Sequence, residues 1–523
     1  GGAGGDSAEA VKDDDKAAEE DSESEKVSAE VSAEEPVTPR SKNKGLFSRL
    51  RGKGKAKGGK AKGGAEAGAS VVADFSRRDL SAVPTHVWKM KNLEVLNLYF
   101  NCLKTLPPDV GNLSRLTMLG LNENQLTMLP VEIGNLTALR ILDLRYNKIQ
   151  KLPAEIGHLE NLSKLFLRYN KLHELPEELT KLTKLEVLSV RNNLLSALPD
   201  DLNCLTLLKI LDVQQNKLVS IGDVSPLQSM QELNVQCNEL THVPPGIEAM
   251  TDLKRLHCGH NKIPMFPKEI ANLKSLEVLD MEGNNLEELL DEIGEFPVLR
   301  TLYLSRNRLK ELPEAFCNLH SLRELHLKGN LLSSLPESFD QLTSLRSLDL
   351  ATNRFSELPS PKTMVHLHSV NISDNEIAEL PETIKVLSNL RQLFLNENVL
   401  ESLPSQITCL SRLTELHLVC NSLSTLPPAI GGLDALRVLC LDQNSLQEIP
   451  PEIGNLGSLS FLSLTDNELL DVPDTLINLR QLSQLKVDGN PLSHMPSSVI
   501  GGAAVFNHVL RRVQARREAG QMA

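Results

Sequence analysis

The sequence predicts an α/β solenoid in which one short parallel β-strand from each repeat lines a concave sheet. The frame L-x-x-L-x-L-x-x-N-x-L-x-x-L-P returns 18 times between Asn101 and Asn490, and 15 of the 17 intervals are 23 residues long. The alternating leucines of each copy form an apolar face that a single repeat cannot bury alone. Stacking of the repeats is therefore required, and one continuous core is expected.

The frame is that of a leucine-rich repeat, and it assigns a role to each recurring residue. The L-x-L residues predict the strand, and the Asn is expected to pair backbone groups of adjacent turns that would otherwise be buried without partners. The Pro after the last leucine predicts an extended turn towards the convex side, and it is missing at Ile221-Gly222 and Leu289-Leu290. Two intervals of 22 residues, 216–238 and 353–375, are expected to change the curvature slightly.

Three regions follow from these patterns: an acidic and then basic arm (1–70), the repeat array (71–496), and a terminal capping helix with a tail (497–523). The whole array is expected to form a horseshoe of about 18 repeats plus capping elements. The segment FSRRDLSAVP (75–84) fits the frame with Arg78 in place of Asn, which predicts an amino-terminal capping repeat in which Trp88 packs. At the other end, one helical face is apolar and the opposite face is largely basic. The apolar residues are Val505, Phe506, Val509, Leu510 and Val513, and the basic ones are Arg511, Arg512, Arg516 and Arg517.

The arm lacks the residues that build a core. Residues 1–40 carry 13 acidic and 4 basic side chains, and residues 41–64 carry nine Lys and Arg with no acid. Such composition predicts disorder and a solvated linker. The alternative is contact of the basic stretch with a membrane surface, since Leu46, Phe47 and Leu50 are apolar side chains that could insert there. Nucleic-acid binding is not expected.

Composition and motifs exclude several classes of protein. No run of 18 apolar residues and no secretory signal is present, and the eight cysteines are scattered through the repeats, as expected for a cytoplasmic protein with free thiols. Recruitment to a membrane or the nucleus is the alternative. No phosphate-binding glycine loop, nucleophile elbow or HExxH motif occurs, and the segments flanking the array are too short for a catalytic domain, so no enzyme and no cofactor are expected. Cys237, His257 and His260 lie on neighbouring repeats, but no fourth ligand is evident, so no metal site is predicted.

Charge on the concave positions is unevenly distributed. Arg145, Arg168 and Arg191 occupy the same position in successive repeats, and Tyr146 and Tyr169 follow the first two. Repeats three to six carry seven basic residues against two acids, Asp143 and Asp212; the basic residues are Arg145, Lys148, Lys164, Arg168, Lys171, Arg191 and Lys217. The last six repeats carry eight acids against one lysine. Arg and Tyr are enriched at binding hot spots, which favours a partner surface over a solvated face copied by duplication.

The repeats also resemble a known family. The runs LNLYFN (96–101), LDLRYN (142–147), LFLRYN (165–170) and LSVRNN (188–193), and the ending PLSHMPSSVIGGAAVF (491–506), resemble the Ras-pathway leucine-rich repeat scaffolds of the Shoc-two or Sur-eight type. The resemblance implies a non-enzymatic scaffold that brings a GTP-loaded Ras-type GTPase together with the catalytic subunit of type-one protein phosphatase and so promotes RAF and MAP kinase signalling. The binding residues it implies are Tyr99, Asp143, Arg145, Arg168 and Arg191. The alternative is a leucine-rich repeat adaptor whose partners are unrelated to Ras.

Overall fold

A computed structural model describes residues 71–359, 363–493 and 502–518. The predicted arm, residues 1–70, lies outside the described residues. The described chain consists of short strands, short 3-10 helices and one terminal α-helix, and the predicted leucine-rich repeat solenoid with a parallel sheet is confirmed.

Nineteen strands of three residues form one parallel sheet within the described residues, and each strand between β1 and β19 pairs with the strands of the repeats before and after it. The register places each central leucine beside the next, as in Leu142 beside Leu165. The strands are β1 Val72–Asp74, β2 Val95–Asn97, β3 Met118–Gly120, β4 Ile141–Asp143, β5 Lys164–Phe166, β6 Val187–Ser189, β7 Ile210–Asp212, β8 Glu232–Asn234, β9 Arg255–His257, β10 Val278–Asp280, β11 Thr301–Tyr303, β12 Glu324–His326, β13 Ser347–Asp349, β14 Ser369–Asn371, β15 Gln392–Phe394, β16 Glu415–His417, β17 Val438–Cys440, β18 Phe461–Ser463 and β19 Gln484–Lys486.

Short 3-10 helices line the opposite, convex side. Most begin directly after the frame Pro, whose extended backbone (φ −70° and ψ 149° at Pro153) directs the chain into the helix. Leu290 adopts the same conformation without a proline ring, and its helix forms as well. The 3-10 helices are Val87–Lys89, Pro108–Asn112, Val131–Asn135, Ala154–His158, Glu177–Lys181, Leu202–Cys204, Ile247–Ala249, Lys268–Asn272, Asp291–Glu295, Glu314–Asn318, Phe339–Gln341, Glu382–Val386, Ser405–Cys409, Pro428–Gly432, Pro451–Asn455 and Asp474–Asn478.

The two short repeats are the places where this pattern is interrupted. Within the described residues, no 3-10 helix lies between β7 and β8 or between β13 and β14. In the first of these repeats, Gly222 has φ +78°, and the buried Val224 donates its backbone N–H to the oxygen of Pro245 at 2.9 Å. In this first short repeat, whose residues are all described, the missing residue coincides with the loss of the convex helix. The interruptions follow Asn216 and Asn353, so they divide the 18 Asn into three sets of six.

Leucine columns and an asparagine column form the interior. The central and flanking leucines of most strands are fully buried, as Leu142 and Leu144 illustrate. The amide of Asn193 donates to the oxygens of Leu167 (3.1 Å) and Val190 (2.7 Å) and accepts the N–H of Leu172 (3.0 Å). Leaving one such buried group unpaired costs about 1–3 kcal/mol, so the predicted role of the Asn is confirmed.

The residue before each of the 18 Asn adopts a left-handed backbone. Its φ lies between +52° and +71°, yet glycine occupies this position only at Gly283, Gly329 and Gly489. Elsewhere the position holds side chains as large as Tyr146 and Tyr169. A left-handed conformation costs an L-residue roughly 1–2 kcal/mol, so most repeats tolerate a local strain that the stacked core offsets.

The amino-terminal end of the array is closed by a capping strand. Strand β1 pairs with β2, and Trp88 is buried beneath it with 5% of its surface exposed. Arg78 stands in the Asn position and donates its guanidinium to the oxygen of Asp74 at 2.8 Å. It thus supplies a donor where later repeats use an amide.

The carboxyl-terminal end carries helix α1, Gly502–Glu518. Val505, Val509 and Val513 are buried, so the packed face follows a four-residue spacing. Two details of the predicted face are wrong. Leu510 is 37% exposed because it lies one position beyond the buried line. Arg512 binds Asp471 and Asp474 and donates to the oxygen of Val472, so it points towards the last repeat and away from solvent.

Candidate partner-binding surface

Five predicted residues lie close together where β4, β5 and β6 end. We call Arg145, Tyr146, Arg168, Tyr169 and Arg191 the Arg–Tyr segment. Backbone hydrogen bonds continue the strand pairing through it, since the N–H of Tyr146 donates to the oxygen of Arg168 (3.0 Å) and that of Tyr169 to the oxygen of Arg191 (2.9 Å). The side chains are therefore held one strand spacing apart, about 4.8 Å.

The two tyrosines of the segment form a stack. Their ring centroids are 4.5 Å apart, with 8° between the ring planes. Both residues have the left-handed backbone, with φ +54° at Tyr146 and +58° at Tyr169. This conformation fixes the direction in which each ring leaves the chain, and Tyr169 remains 36% exposed. The stack therefore offers a preformed aromatic surface.

Arg168 contacts an aromatic ring of the segment and also carries a buried nitrogen without a partner among the described residues. Its guanidinium carbon is 5.8 Å from the centroid of the Tyr146 ring, within cation–π range. Its Nε is buried and has no hydrogen-bond partner among the described residues. Because an unpaired buried donor is unfavourable, an acceptor supplied from outside would stabilise this side chain.

Arg145 is engaged within its own repeat. Its Nε donates to Oδ1 of Asp143 at 2.7 Å, and its terminal nitrogen donates to Oδ2 at 2.5 Å. Burial lowers the pKa of Arg145, but the hydrogen bond and charge of Asp143 raise it more, so this pKa stands above its ordinary value. The guanidinium also covers the ring of Phe166, 5.3 Å from its centroid. Asp143 is fully buried and therefore positions Arg145 rather than presenting a free carboxylate.

The remaining predicted residues lie at the two ends of this surface. Tyr99, near the end of β2, accepts a hydrogen bond at its hydroxyl from Arg77 at 2.9 Å. The Nε of Arg191 donates to Oδ1 of Asn192 at 3.0 Å. Tyr99 is separated from the Arg–Tyr segment by β3, so the structure does not bring it into the stack.

Three further residues belong to this surface, and the sequence analysis did not single them out. Arg77 covers the Tyr99 ring at 5.2 Å, and Phe166 supports Arg145. Glu123 lies near both arginines, and burial raises its pKa while Arg77 and Arg145 partly offset this effect. Alignment of the concave positions could have found Phe166, since it occupies in β5 the position of Asp143 in β4.

The far end of the sheet carries the opposite charge. Several acidic side chains of the last six repeats are exposed. They are Asp374, Glu376, Glu397, Asp466, Glu468 and Asp488. Lys486, the basic concave residue of these repeats, lies 5.4 Å from the Phe461 ring centroid. Since the strands follow sequence order in one sheet, the basic and acidic ends are separate surfaces.

Candidate ligands for metals remain apart from one another. No group of three or more His, Cys, Asp or Glu that could hold a metal ion occurs among the described residues. His257 instead lies 3.6 Å from Asp280, and the eight cysteines are free thiols. In the same described part of the chain, no helix has the length and apolar character needed to cross a membrane.

Comparison with known families agrees with the repeat geometry. A family described as "Leucine-rich repeat region" matches residues 89–220, and one described as "Leucine rich repeat" matches residues 228–286, 297–355, 411–469 and 434–492. Together these matches cover more than half of the sequence. The chain belongs to the leucine-rich repeat family. Membership supports a role in protein interaction, and arrays of this family are typically binding scaffolds without catalytic activity.

Solved leucine-rich repeat structures share both sequence and fold with this chain. A leucine-rich repeat protein of Leptospira interrogans is 33% identical, over 80% of this chain and 90% of that one, with a TM-score of 0.49. The ectodomain of the membrane receptor kinase GASSHO1/SCHENGEN3 of Arabidopsis thaliana, in complex with Casparian strip integrity factor 2, is 29% identical with a TM-score of 0.60. That match covers 78% of this chain and 54% of the ectodomain, so the chain spans about half the ectodomain's length. A comparison with curated proteins gave no significant match.

Proposed function

We propose that this leucine-rich repeat protein is a signalling scaffold whose Arg–Tyr segment binds an acidic surface of a protein partner. The observation that carries the proposal is the pair of stacked tyrosines beside Arg168, whose Nε is buried without an acceptor. Arginine and tyrosine are enriched at the energetic centres of protein interfaces. A carboxylate from a partner would provide the missing acceptor and form a charge-assisted hydrogen bond.

The proposed partner of this segment is a GTP-loaded Ras-type GTPase. The proposal rests on the resemblance of the repeats around Arg145, Arg168 and Arg191 to the Ras-pathway scaffolds. The Asp143–Arg145 pair fits such a role because it holds one guanidinium rigidly, so less side-chain entropy is lost on binding. Asp143 would act by positioning Arg145, whereas Arg168, Tyr169 and Arg191 would contact the GTPase.

The proposed second partner is the catalytic subunit of type-one protein phosphatase. This part of the proposal also rests on the resemblance to the Ras-pathway scaffolds. Support comes from the two oppositely charged surfaces on one sheet. From β5 to β17 the strand spacing adds up to roughly 60 Å along the sheet, which leaves room for two proteins at once. Holding both partners would place the phosphatase near RAF kinases recruited by the GTPase and promote MAP kinase signalling.

Reversing one charge of the segment tests this proposal. Arg168→Glu should weaken capture of a GTP-loaded Ras-type GTPase by about tenfold or more, since a like-charge contact at an interface costs several kcal/mol. Lys328→Glu is the matched control, because Lys328 occupies the equivalent concave position after β12 and is exposed. Purified components would be compared by pull-down and by titration, with a thermal melt of each variant to verify folding.

The outcomes separate this scaffold from an adaptor with unrelated partners. Loss of GTPase binding in Arg168→Glu but not in Lys328→Glu would support the proposal. Equal binding by both variants would contradict a role for the Arg–Tyr segment. If the unmodified protein captures neither the GTPase nor the phosphatase, the adaptor is the better account, and it is favoured by the general nature of the family matches.

A further inference from the structure

A small cleft lies at the edge of the sheet where β12 and β13 begin. It has a volume of about 240 Å³ and is lined by Arg323, Thr343, Ser344, Arg346 and His366. Arg323 directly precedes β12 and Arg346 directly precedes β13, and the backbone N–H of Arg346 donates to the oxygen of Arg323 at 2.8 Å. The two guanidinium groups therefore leave the backbone one strand apart, about 4.8 Å.

The charges around this cleft are not balanced by the protein. The lining contains two guanidinium groups, an imidazole and two hydroxyls, and no carboxylate. Neither Arg323 nor Arg346 forms an ion pair within the described part of the chain. Their neighbours before β14 and β15 are His368 and Arg391, so the basic character continues along the edge.

The same edge position is balanced elsewhere in the array. Lys209, before β7, pairs with Glu186, before β6, at 3.3 Å. Arg300 pairs with Glu277 of the previous repeat, also at 3.3 Å. Adjacent edge residues thus form cross-strand ion pairs at these repeats, whereas Arg323 and Arg346 place like charges side by side. Like charges on adjacent strands are unfavourable unless an anion lies between them.

The side chains that line the cleft favour a phosphate group over a carboxylate. Guanidinium groups bind phosphate oxygens through two parallel hydrogen bonds, and the hydroxyls of Thr343 and Ser344 can donate further ones. A phosphate monoester carries a charge of about −1.5 to −2 at neutral pH, which matches two arginines better than a single carboxylate does. The cleft is smaller than the roughly 300–1,000 Å³ of pockets for whole small molecules, so it suits one anionic group.

We propose that this edge cleft binds a phosphorylated serine or threonine side chain of a protein partner. The basic run from Arg323 to Arg391 crosses four strands, roughly 14 Å, which corresponds to about four residues of an extended chain. The exposed apolar side chains beside it are Val298 (38%) and Val365 (40%). Two separated valines can contact single apolar side chains of a bound peptide, whereas binding to a membrane surface requires a larger apolar face. This site lies outside the Arg–Tyr segment and does not depend on the proposed GTPase.

The test measures binding of a fluorescent peptide library with one central phosphoserine and degenerate flanking positions. The unphosphorylated library, inorganic phosphate, and vesicles of phosphatidylcholine with phosphatidylinositol phosphate serve as comparison probes. The 523-residue chain should bind the phosphorylated library and lose at least about tenfold in affinity when Arg323 and Arg346 are both changed to Glu. The matched control changes Arg140 and Arg437 to Glu, since both are exposed edge residues outside the basic run.

The outcomes decide the nature of the site. Binding that requires the phosphate, survives in the Arg140/Arg437 control and is lost in the Arg323/Arg346 variant supports the proposal. Equal loss in both variants would overturn it, because net charge alone would then explain binding. Equal binding of both libraries, or vesicle binding without peptide binding, would also overturn it. The double variant with Gln in place of Arg323 and Arg346 repeats the test if the Glu variant melts at a lower temperature.

Discussion

At the scale of single residues, one left-handed backbone position recurs in every repeat that carries the frame Asn. The position before each Asn is left-handed, and glycine fills it only at Gly283, Gly329 and Gly489. Where the concave surface carries Tyr146 and Tyr169, the same conformation directs their rings into a stack. Because this backbone recurs in every repeat, it does not by itself single out the tyrosines. What distinguishes them is that their rings stack and that Tyr169 remains exposed.

Two glycines at which a Cβ would meet no close neighbour allow this backbone cost to be measured. Gly329 has φ +70°, and a Cβ there would meet nothing closer than 3.6 Å; Gly457 lies outside the left-handed region, with its nearest neighbour at 4.0 Å. Gly329→Ala should destabilise the array by roughly 0.5–1 kcal/mol, because a strain of 1–2 kcal/mol exceeds the gain from a less flexible unfolded chain. Gly457→Ala should stabilise it by about 0.4–1 kcal/mol. Urea unfolding of both variants measures the difference, and equal effects would show that the left-handed position carries no strain.

At the scale of elements, Arg512 joins the buried Val505, Val509 and Val513 in attaching helix α1 to the last repeat. Arg512 donates to Asp471 at 2.8 Å, to Asp474 at 2.7 Å and to the oxygen of Val472 at 2.8 Å. The guanidinium is largely buried, with 18% of the side chain exposed. Removal of Arg512 therefore leaves Asp471 without a cation, whereas Asp474 keeps its ion pair with Arg516.

The attachment can be tested with Arg512→Met, which retains the apolar stem. We expect the free energy that holds α1 on the last repeat to fall by about 1–3 kcal/mol. The effect is smaller than for a fully buried ion pair because Asp471 is partly exposed. Hydrogen exchange of α1 should accelerate while the central strands are unaffected. The control is Arg511→Met, because Arg511 is exposed on the same helix. Equal acceleration in both variants would show that the ion pairs do not hold the helix.

The sequence was sufficient to predict the strands, the Asn column and the two irregular repeats, because all of them follow from a period of 23 residues. The 3-10 helices were not predicted, since segments such as Ala154–His158 are too short to show a helical periodicity. Alignment of repeats predicted that Arg145 and Arg168 share one face. It missed the Asp143–Arg145 pair, because that contact lies within one repeat and a repeat alignment compares only equivalent positions.

Across the whole molecule, the two short repeats divide an otherwise regular stack. The strands fall into the groups β1–β7, β8–β13 and β14–β19, and the described residues between these groups contain no convex 3-10 helix. Strands β2, β8 and β14 each end in an asparagine, Asn97, Asn234 and Asn371, at intervals of 137 residues. In a stacked array, stability depends on the contact of each repeat with its neighbours. The junctions between the groups should therefore open first.

Restoring a regular repeat at one junction tests this view. Replacing residues 217–231 with a copy of residues 148–163 adds one residue, so it restores the 23-residue interval together with Pro153 and the 3-10 helix Ala154–His158. In the unmodified protein, amides of β8 and β14 should exchange about tenfold faster than those of β4, β11 and β17, because opening there breaks fewer buried contacts. The replacement should slow exchange at β8 and leave β14 unchanged, which makes β14 an internal control. Uniform protection along the unmodified array, or an unchanged β8 after the replacement, would show that the convex helices do not determine where the stack opens.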